Sequence, residues 1–443
     1  MTAGSGSGAE RAEGAARGLR RVALAGYAGS AIEFYDFFIY GTAAALVFPT
    51  VFFPDLGPVM ATTASLGAFA SAFLARPVGA AVFGHFGDRI GRKQTLVTTL
   101  LLMGVATMGV GLLPSTASIG IAAPLLLIGL RLVQGFAVGG EWAGAVLLIA
   151  EHAPAARRGF YGMFTQLGLG TALVLSNLVF LLAHFAFGSA GSAFLQWGWR
   201  IPFLLSAVLI VTALVIRLRV EESPVFAETA PGASQSGAPL AAVLRRQGSQ
   251  VLLAGGVVIC ALMLSFQAVT FFTHYASEHM DYSLTLVLLV GVVGGMCAVA
   301  TAGASAILSD AYGRRRVLGF AIAIATLWAF MAFPLIETRN HIVFGAAIMV
   351  TYALGGACMG PHAAYLPEIF AAQYRYTGVA VSHTLGCIVG GGLPPVLSPT
   401  LLATFGGWAV AVMMGGLAIV SLVSVAALPE TTGRTLSCDA TPR

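Results

Sequence analysis

Two long apolar segments are joined by the charged stretch Gly84-His85-Phe86-Gly87-Asp88-Arg89-Ile90-Gly91-Arg92-Lys93. Its pattern returns later in the chain as Ser309-Asp310-Ala311-Tyr312-Gly313-Arg314-Arg315-Arg316. The aspartate, the glycine three residues after it and the two basic residues that follow align at one constant offset, about half the chain length. Self-similarity at so long a period indicates two copies of one structural plan.

Two further echoes support this division. One is a glutamate followed by an arginine at a fixed spacing, and the other is a short acidic segment that closes each half. In the first pattern, Glu151 and Arg158 of the first half correspond to Glu368 and Arg375 of the second. In the second pattern, Glu221-Glu222-Ser223-Pro224 corresponds to Pro429-Glu430-Thr431. Parallel repeats of this kind are typical of transporters whose two halves rock against each other.

The composition is that of a membrane protein. Of the 443 residues, 58% are hydrophobic and only 9% are charged, and mean hydropathy is +0.88. A helix that crosses a bilayer needs about 20 mostly apolar residues. We count twelve such segments, approximately 22–48, 59–85, 94–114, 118–149, 158–185, 199–218, 250–275, 283–308, 316–336, 341–366, 377–404 and 407–428. The predicted fold is therefore an all-α membrane protein with twelve transmembrane helices in two six-helix bundles.

The basic residues predict the orientation. Arginines and Lys93 concentrate in the N-terminal segment and in the even-numbered connections, so both termini are expected in the cytoplasm. We divide the chain into a cytoplasmic tail (1–21), a bundle (22–219), a mostly unstructured or weakly helical cytoplasmic linker (220–249), a second bundle (250–428) and a cytoplasmic tail (429–443). Topology thus explains the basic pI of about 9.1, and nucleic acid is not expected as a partner.

Charged residues inside the apolar segments are the candidate functional residues. Arg131 lies near the middle of the fourth span, Arg76 lies in the second, and Glu33 and Asp36 lie in the first. A charge at the centre of a membrane helix costs roughly 2.5–3.5 kcal/mol on insertion scales, so such residues usually have a function. Fixed cations and titratable acids inside one helix bundle favour a transporter with a charged binding cavity.

The repeated charged stretch resembles the signature of the major facilitator superfamily. Other segments are similar to its metabolite:proton symporter branch, which includes carriers of shikimate, α-ketoglutarate, citrate and proline/betaine. They are Glu33–Gly41, Ala75–Pro77, Arg131–Gly135, Gly139–Trp142, Gln196–Pro202 and Glu222–Pro224. The resemblance covers nearly the whole chain and implies the facilitator fold, in which the fourth span packs beside the first.

Asp36, Glu33 and Arg131 are the candidates for proton coupling. Glu33, Asp36 and Tyr40 are spaced so that they share one helix face. A buried carboxyl group beside an arginine is subject to opposing electrostatic influences, so it can take up or release a proton as access changes. Arg131 is the natural partner under the facilitator fold. A permanent structural ion pair between Asp36 and Arg131 is the alternative.

The substrate site is expected to be cationic. Arginine presents a planar fork suited to carboxylates, so Arg76 and Arg131 favour an anionic or zwitterionic metabolite. Alternatively, Pro77 kinks its helix and Arg76 satisfies the freed carbonyl groups or an acid nearby. Further candidates for the cavity lining are Tyr40, Gln166, Gln267, His362 and Tyr365, although a lone intramembrane polar residue often only bonds a neighbouring helix. We expect His274, close to the outer surface, to be incidental.

The repeated charged stretches act as a conformational latch in the family that the chain resembles. Asp88 would accept hydrogen bonds at a helix N-terminus of the other half while the cytoplasmic side is closed. The expected latch residues are Gly84, Asp88, Arg89, Gly91, Arg92, Lys93, Glu141, Glu151, Arg158, Asp310, Arg314, Glu368 and Arg375. Alternatively these charges only set topology, which explains the arginines but not Asp88 and Gly91.

The sequence thus predicts a monomeric transporter of the plasma (inner) membrane, not an enzyme. It imports a small, carboxylate-bearing metabolite, with shikimate-like substrates favoured, together with protons and without other cofactors or metals. A uniporter or exporter of the same fold is the alternative. A membrane sensor would need a large signalling domain, and an integral-membrane enzyme would need a catalytic cluster, neither of which the sequence offers.

Overall fold

The computed structural model describes residues 5–90, 92–139, 141–187, 192–219, 239–434 and 436 of the chain. Within these ranges the side chains of residues 5–17 and 84–96, among others, are not described. The described backbone is almost entirely helical and contains no strand. The predicted all-α architecture is therefore confirmed.

Six long helices make up the first half. They are α1 (Ser5–Leu46), α2 (Pro58–Ile90), α3 (Arg92–Leu112), α4 (Ala122–Val138, continued by Glu141–His152), α5 (Arg158–Phe187) and α6 (Ile201–Arg219). Short helices, Phe48–Phe52 and Thr116–Ile119, lie in the connections that follow α1 and α3.

Six more helices make up the second half. They are α7 (Pro239–Gln267, continued by the π-helical turn Ala268–Phe272 and by Thr273–Glu278), α8 (Leu284–Tyr312), α9 (Arg314–Ile336), α10 (His341–Met359 and His362–Ile369), α11 (Arg375–Gly386, the π-helical Cys387–Gly392 and Leu393–Phe405) and α12 (Gly407–Ala427). Both π-helical turns occur in helices that contribute to the site described below.

The helices have the length and composition of membrane spans. Within the described ranges, nine helical stretches are long and apolar enough to cross a bilayer, and α3 and α6 contain shorter apolar helices, Val97–Leu112 and Gly198–Thr212. Helix α1, which carries Glu33 and Asp36, completes the set of twelve.

Helix packing joins the two halves around a central axis. Within the first half, α1 packs on α5, α2 on α4, and α3 on both α4 and α6. The second half repeats this plan, with α7 on α11, α8 on α10 and α9 on α12. Helices α5 and α8 pack across the halves, as do α2 and α11. The faces of α1, α2, α4, α7, α10 and α11 that meet near the axis form the site.

Close approach of α2 and α4 requires small residues. A methyl group at Gly135 would overlap the backbone of Ala72, and one at Gly139 would overlap the backbone of Arg76. Small residues at four-residue spacing let two membrane helices come into backbone contact. This contact holds Arg76 next to the cytoplasmic half of α4.

Three boundaries differ from the expected ones. Helix α1 begins at Ser5, so most of the expected tail 1–21 continues the first span, because this segment is rich in the helix-forming residues Ala, Glu and Arg. Helix α7 begins at Pro239, within the linker that is expected to be mostly unstructured or weakly helical, and residues 220–238 lie outside the described ranges. In α11 the backbone widens at Cys387–Gly392, just before Pro394 and Pro395, which have no N–H to donate to preceding carbonyls.

Candidate functional site

The acidic face of α1 is buried at the centre of the first half. Glu33, Asp36 and Tyr40 are 2%, 1% and 0% exposed. The hydroxyl of Thr107 on α3 donates a hydrogen bond of 2.8 Å to Asp36 Oδ2. The same hydroxyl lies 2.9 Å from the carbonyl oxygen of Met103. It can therefore donate to the carboxylate or to the backbone.

A relay of side chains connects Asp36 with Arg131. Gln134 Nε2 donates to Thr107 Oγ1 at 2.7 Å, and Arg131 Nη1 donates to Gln134 Oε1 at 3.1 Å. Within the described part of the chain, Asp36 and Arg131 make no direct ion pair. The alternative of a permanent, direct ion pair is therefore not seen, and Thr107 and Gln134 separate the two charges.

Arg131 is held by aromatic rings. Its Nε donates to the Phe69 carbonyl at 3.2 Å, and its guanidinium carbon lies 4.2 Å from the ring centroids of both Phe37 and Tyr40. Cation–π contacts of this kind stabilise a desolvated guanidinium. Arg131 Nη2 and Tyr40 Oη are buried without a hydrogen-bond partner among the described residues.

Arg76 contacts the same phenylalanine, Phe37. Its guanidinium carbon is 4.4 Å from the Phe37 ring centroid, and its Nη2 is 3.9 Å from Glu33 Oε1. Its Nη1 donates to the Cys387 thiol on α11 at 3.2 Å. Within the described ranges Arg76 donates to no carbonyl freed by Pro77, but its contact with Glu33 is the nearby acid that the structural alternative also allows.

Two glutamines contribute further polar groups. Gln267, directly before the π-helical turn of α7, donates from Nε2 to Ser398 Oγ on α11 at 2.8 Å, and its Oε1 is unpartnered among the described residues. Gln166 on α5 is buried, and both its amide atoms lack a partner in the same ranges. Both amides are thus available to a ligand.

His362 and Tyr365 are separated by the geometry of α10. His362 is fully buried where the helix breaks at Gly360 and Pro361, and its ring lies beside the backbone of Val257 on α7. Tyr365, in contrast, donates to the Pro429 carbonyl at 3.0 Å, next to charged groups of the chain after α12. The expectation that Tyr365 lines the substrate cavity is wrong, because the second segment of α10 carries it toward that charged end.

The sequence interpretation missed a stacked pair between the halves. The rings of Trp142 on α4 and His383 on α11 lie 3.7 Å apart at 13°. Cys387 Sγ is 3.5 Å from His383 Nδ1. Arg76, Trp142 and His383 line a cavity of about 10 Å³. The only signal in the sequence was the four-residue spacing of His383 and Cys387, which places both on one helix face.

His274 makes the corresponding contact at the opposite end of the molecule. Its Nδ1 lies 2.9 Å from the Ala45 carbonyl oxygen on α1, and its Nε2 lies 3.1 Å from Thr62 Oγ1 on α2. The Ala45 carbonyl needs an outside donor because the residue four positions later is Pro49, which has no N–H. The expectation that His274 is incidental is wrong, since it connects the two halves.

A buried ion network closes the end near Trp142. Asp310 accepts from the backbone N–H groups of Gly159 and Phe160 at 2.9 and 2.8 Å, so it caps the N-terminus of α5 in the other half. Arg158 Nη1 lies 2.5 Å from Glu368 Oε1, and Arg314 Nη1 lies 2.6 Å from Asp310 Oδ1. The second copy of the charged stretch therefore has the geometry of a latch.

The segment after α12 joins this network. Thr431 Oγ1 donates to Glu368 Oε2 at 2.6 Å, and Glu430 accepts from the backbone N–H groups of Arg314 and Arg315 at 2.9 and 3.1 Å. Partial burial by itself raises the pKa of Glu430, but hydrogen bonds from Thr432, Thr431 and Arg314 outweigh it and hold the pKa below its ordinary value. Glu430 thus stays ionised at neutral pH.

The remaining expected latch residues are less informative. Gly84 lies in α2, whereas Gly91 and the side chains of Asp88, Arg89, Arg92 and Lys93 lie outside the described part of the chain. Glu141 is partly buried at the start of the second segment of α4, and Arg375 donates to the Pro367 carbonyl at 3.1 Å. Glu151 is exposed and makes no ion pair within the described ranges, unlike its echo Glu368. Its expected place in the latch is not supported.

Comparisons with known proteins agree with this architecture. The sequence profile of the sugar (and other) transporter family matches residues 22–236 and again residues 229–438. The inner membrane metabolite transport protein YhjE of Escherichia coli (strain K12) is 39% identical over 424 residues, 94% of this chain and 95% of that protein. The shikimate transporter of the same organism is 39% identical over 393 residues, 88% and 89% of the two chains. Its proline/betaine transporter is 32% identical over 441 residues, 96% and 86%.

The fold is also that of a solved transporter. The crystal structure of a D-xylose-proton symporter superposes with a TM-score of 0.75, at 19% sequence identity, over 94% of this chain and 100% of that one. The predicted twelve-helix facilitator fold and the predicted absence of enzymatic function are confirmed. The chain is a membrane transporter that belongs to the major facilitator superfamily, in the branch that contains the shikimate and proline/betaine transporters.

Proposed function

We propose that the chain is a proton-coupled symporter that imports a small organic acid or zwitterionic metabolite, with a shikimate-like acid favoured. The observation that carries this proposal is the relay from Asp36 through Thr107 and Gln134 to Arg131. The relay puts a buried carboxyl group and a fixed cation in communication without a direct ion pair.

Proton binding at Asp36 would change this relay. Burying a carboxylate charge without a direct ion pair is costly, and uptake of a proton removes that charge. While Asp36 is ionised, the Thr107 hydroxyl donates to it. Once Asp36 is protonated, that hydroxyl is free to donate to the Met103 carbonyl, 2.9 Å away. Because Gln134 donates to this hydroxyl and accepts from Arg131, reorientation of the hydroxyl alters the hydrogen bonds of Gln134 and, through them, those of Arg131.

Substrate binding follows from the two arginines. Arg76 and Arg131 both contact the Phe37 ring and retain unused donors. An anion would find its donors there and accept from unpartnered groups such as Gln166. When Glu33 or Asp36 binds a proton, the net charge of the site becomes more positive. Proton and anion would then each raise the affinity of the site for the other.

Transport would proceed by alternating access. The His274 contact closes one end, and the Arg158–Glu368 network closes the other. Each set of contacts joins the two halves, so opening one end breaks only that set. We place the network end and both termini in the cytoplasm from the distribution of basic residues. We further propose a monomer of two bundles, 22–219 and 250–428, with a linker at 220–249.

Uptake by proteoliposomes tests the function. Purified protein would be reconstituted and given radiolabelled shikimate, α-ketoglutarate, citrate, proline and glycine betaine, each with and without an imposed pH gradient. We expect accumulation of one organic acid above equilibrium only when the outside is acidic. Uptake that survives collapse of the proton gradient would instead favour a uniporter, and gradient-driven efflux would favour an exporter.

A further inference from the structure

The cavity beside the Trp142–His383 stack lies between the halves. It is bounded by α2 and α4 of the first half and by α11 of the second, and its lining includes Arg76, Val138, Trp142, Ala380, His383 and Thr384. At about 10 Å³ it has room for about one water molecule. A ligand larger than water therefore enters only when the halves move apart.

Donors without acceptors converge on this cavity. Arg76 Nε and Nη2 and Trp142 Nε1 are buried and have no hydrogen-bond partner among the described residues. Arg76 is 3% exposed and Trp142 is 4% exposed. A buried donor left without an acceptor costs roughly 1–3 kcal/mol, so three in one place indicate a site that a ligand completes.

The one hydrogen bond that Arg76 makes to another described residue is easily exchanged. Its acceptor is the Cys387 thiol, 3.2 Å from Nη1, and sulfur is a weak acceptor. A carboxylate is a much stronger acceptor for a guanidinium and can bind it through two parallel hydrogen bonds. An incoming carboxylate would therefore displace Cys387 and also accept from Trp142 Nε1.

The shape of the site favours a flat ligand. The indole of Trp142 and the imidazole of His383 are nearly parallel at 3.7 Å, so the indole face is already covered by a planar group. Trp142 belongs to the first half and His383 to the second, so separation of the halves uncovers the indole. A ring or planar chain of a ligand can then replace the imidazole.

The charge of the site favours one carboxylate. Glu33 Oε1 lies 3.9 Å from Arg76 Nη2, so the local pair is formally neutral before a ligand binds. One ligand carboxylate on the free edge of the guanidinium is compatible with this pair. A second carboxylate on the same ligand would lie close to Glu33 and be repelled.

From these observations we infer a substrate subsite formed by Arg76, Trp142 and His383 for the carboxylate and planar body of a monocarboxylic acid. This inference rests on the proposed transport function and narrows its substrate class. His383 and Trp142 act as a gate that the substrate opens by taking the place of the imidazole. Thr384 and the His383 ring offer hydrogen-bonding groups to hydroxyls on the ligand.

Alkylation of Cys387 tests the subsite directly. Cys260, Cys297, Cys358 and Cys438 would be replaced by serine, and the rate of N-ethylmaleimide labelling of Cys387 measured in detergent with shikimate, glycine betaine or α-ketoglutarate up to about 10 mM, ten times a weak millimolar Kd. At that excess, simple occupancy predicts about tenfold slower labelling with shikimate. With glycine betaine or α-ketoglutarate we expect labelling of Cys387 to slow by less than about twofold. A compound slows labelling by that little when its concentration is no higher than its Kd.

A matched variant keeps only Cys297, a partly exposed residue of α8 that lies outside the cavity. Its labelling should not change with shikimate. Unchanged labelling of Cys387 with all three compounds would overturn the subsite. So would stronger protection by glycine betaine or α-ketoglutarate than by shikimate, or equal protection of Cys297, which would report a global conformational change.

Transport by the Cys387-only protein separates this inference from the proposed function. Gradient-driven shikimate uptake without protection of Cys387 would remove the subsite and leave the function. Protection of Cys387 without proton-dependent uptake would remove the proposed function and leave the subsite.

If the serine replacements prevent folding, tryptophan fluorescence of the native chain provides the readout. We expect shikimate to change the emission in Trp197→Phe, whose ring is exposed, and not in Trp142→Phe. Equal changes in both variants would overturn the subsite.

Discussion

Replacing Glu368 by glutamine should shift the transporter toward the state that is open at the network end. Glu368 compensates two buried cations, with Oε1 2.5 Å from Arg158 Nη1 and Oε2 3.6 Å from Arg314 Nε. The three side chains are at most 4% exposed. Removing one partner of a buried ion pair costs about 3–5 kcal/mol, and glutamine keeps the shape and one acceptor, so we take about 3 kcal/mol.

This penalty applies to the closed state alone, because Arg158 regains water when the halves separate. About 3 kcal/mol corresponds to a shift of about a hundredfold in the equilibrium between closed and open forms. The distance between spin labels at Ala156 and Tyr312, both exposed near the network, would report the two populations by pulsed electron paramagnetic resonance. Glu151→Gln is the matched control, since Glu151 is the exposed sequence echo of Glu368. Identical distance distributions in Glu368→Gln and the native chain, or an equal shift in the control, would refute the reasoning.

Three further substitutions test other parts of the site. Arg131→Lys keeps the charge but cannot reproduce the planar fork that donates to both Gln134 and the backbone. We therefore expect the uptake rate to fall at least tenfold, which corresponds to about 1.4 kcal/mol of free energy. A normal rate would show that the fork is dispensable. His274→Ala removes the cross-half contact, so spin-label distances at that end should lengthen, whereas the exposed His279→Ala should leave them unchanged. Hydrogen bonds hold the pKa of Glu430 below its ordinary value, so its contact is present at neutral pH and is lost only as pH falls through that lowered pKa. Glu430→Gln should therefore slow turnover without altering the pH profile of uptake between about pH 5 and 8. A changed profile would assign part of the pH dependence to Glu430.

Much of the fold could be predicted from the sequence. The length of the apolar segments predicts most of the membrane helices. The similarity of Asp310–Arg315 to Asp88–Lys93 predicts the division of the chain into two halves. Pro394 and Pro395 already indicate from the sequence that α11 is kinked. The π-helical turns in α7 and α11 could not be predicted, because such a turn depends on which neighbouring side chains fill the widened turn. The start of α1 at Ser5 was missed because hydropathy alone does not distinguish a helical segment outside the membrane from an unstructured one.

The candidate site was only partly predictable. Charged residues inside spans stand out because each is costly to bury, which is how Arg76, Arg131 and Asp36 were found. Thr107 and His383 carry no such signal, since a threonine or a lone histidine in a span is common and its partner depends on how each helix is rotated. Tyr365 was misplaced for the same reason, because position along a helix predicts depth but not the helix that a side chain faces.

The central claim is that Asp36 couples proton binding to transport. The most direct measurement compares Asp36→Asn with Asp55→Asn, an exposed aspartate in the connection after α1, in proteoliposomes. For the acid identified by the uptake panel, we expect Asp36→Asn to lose accumulation driven by a pH gradient and to retain counterflow exchange, because an amide fixes the neutral form of the side chain. Asp55→Asn should do both as the native chain does. Full gradient-driven accumulation by Asp36→Asn would contradict the account and place the coupling site elsewhere.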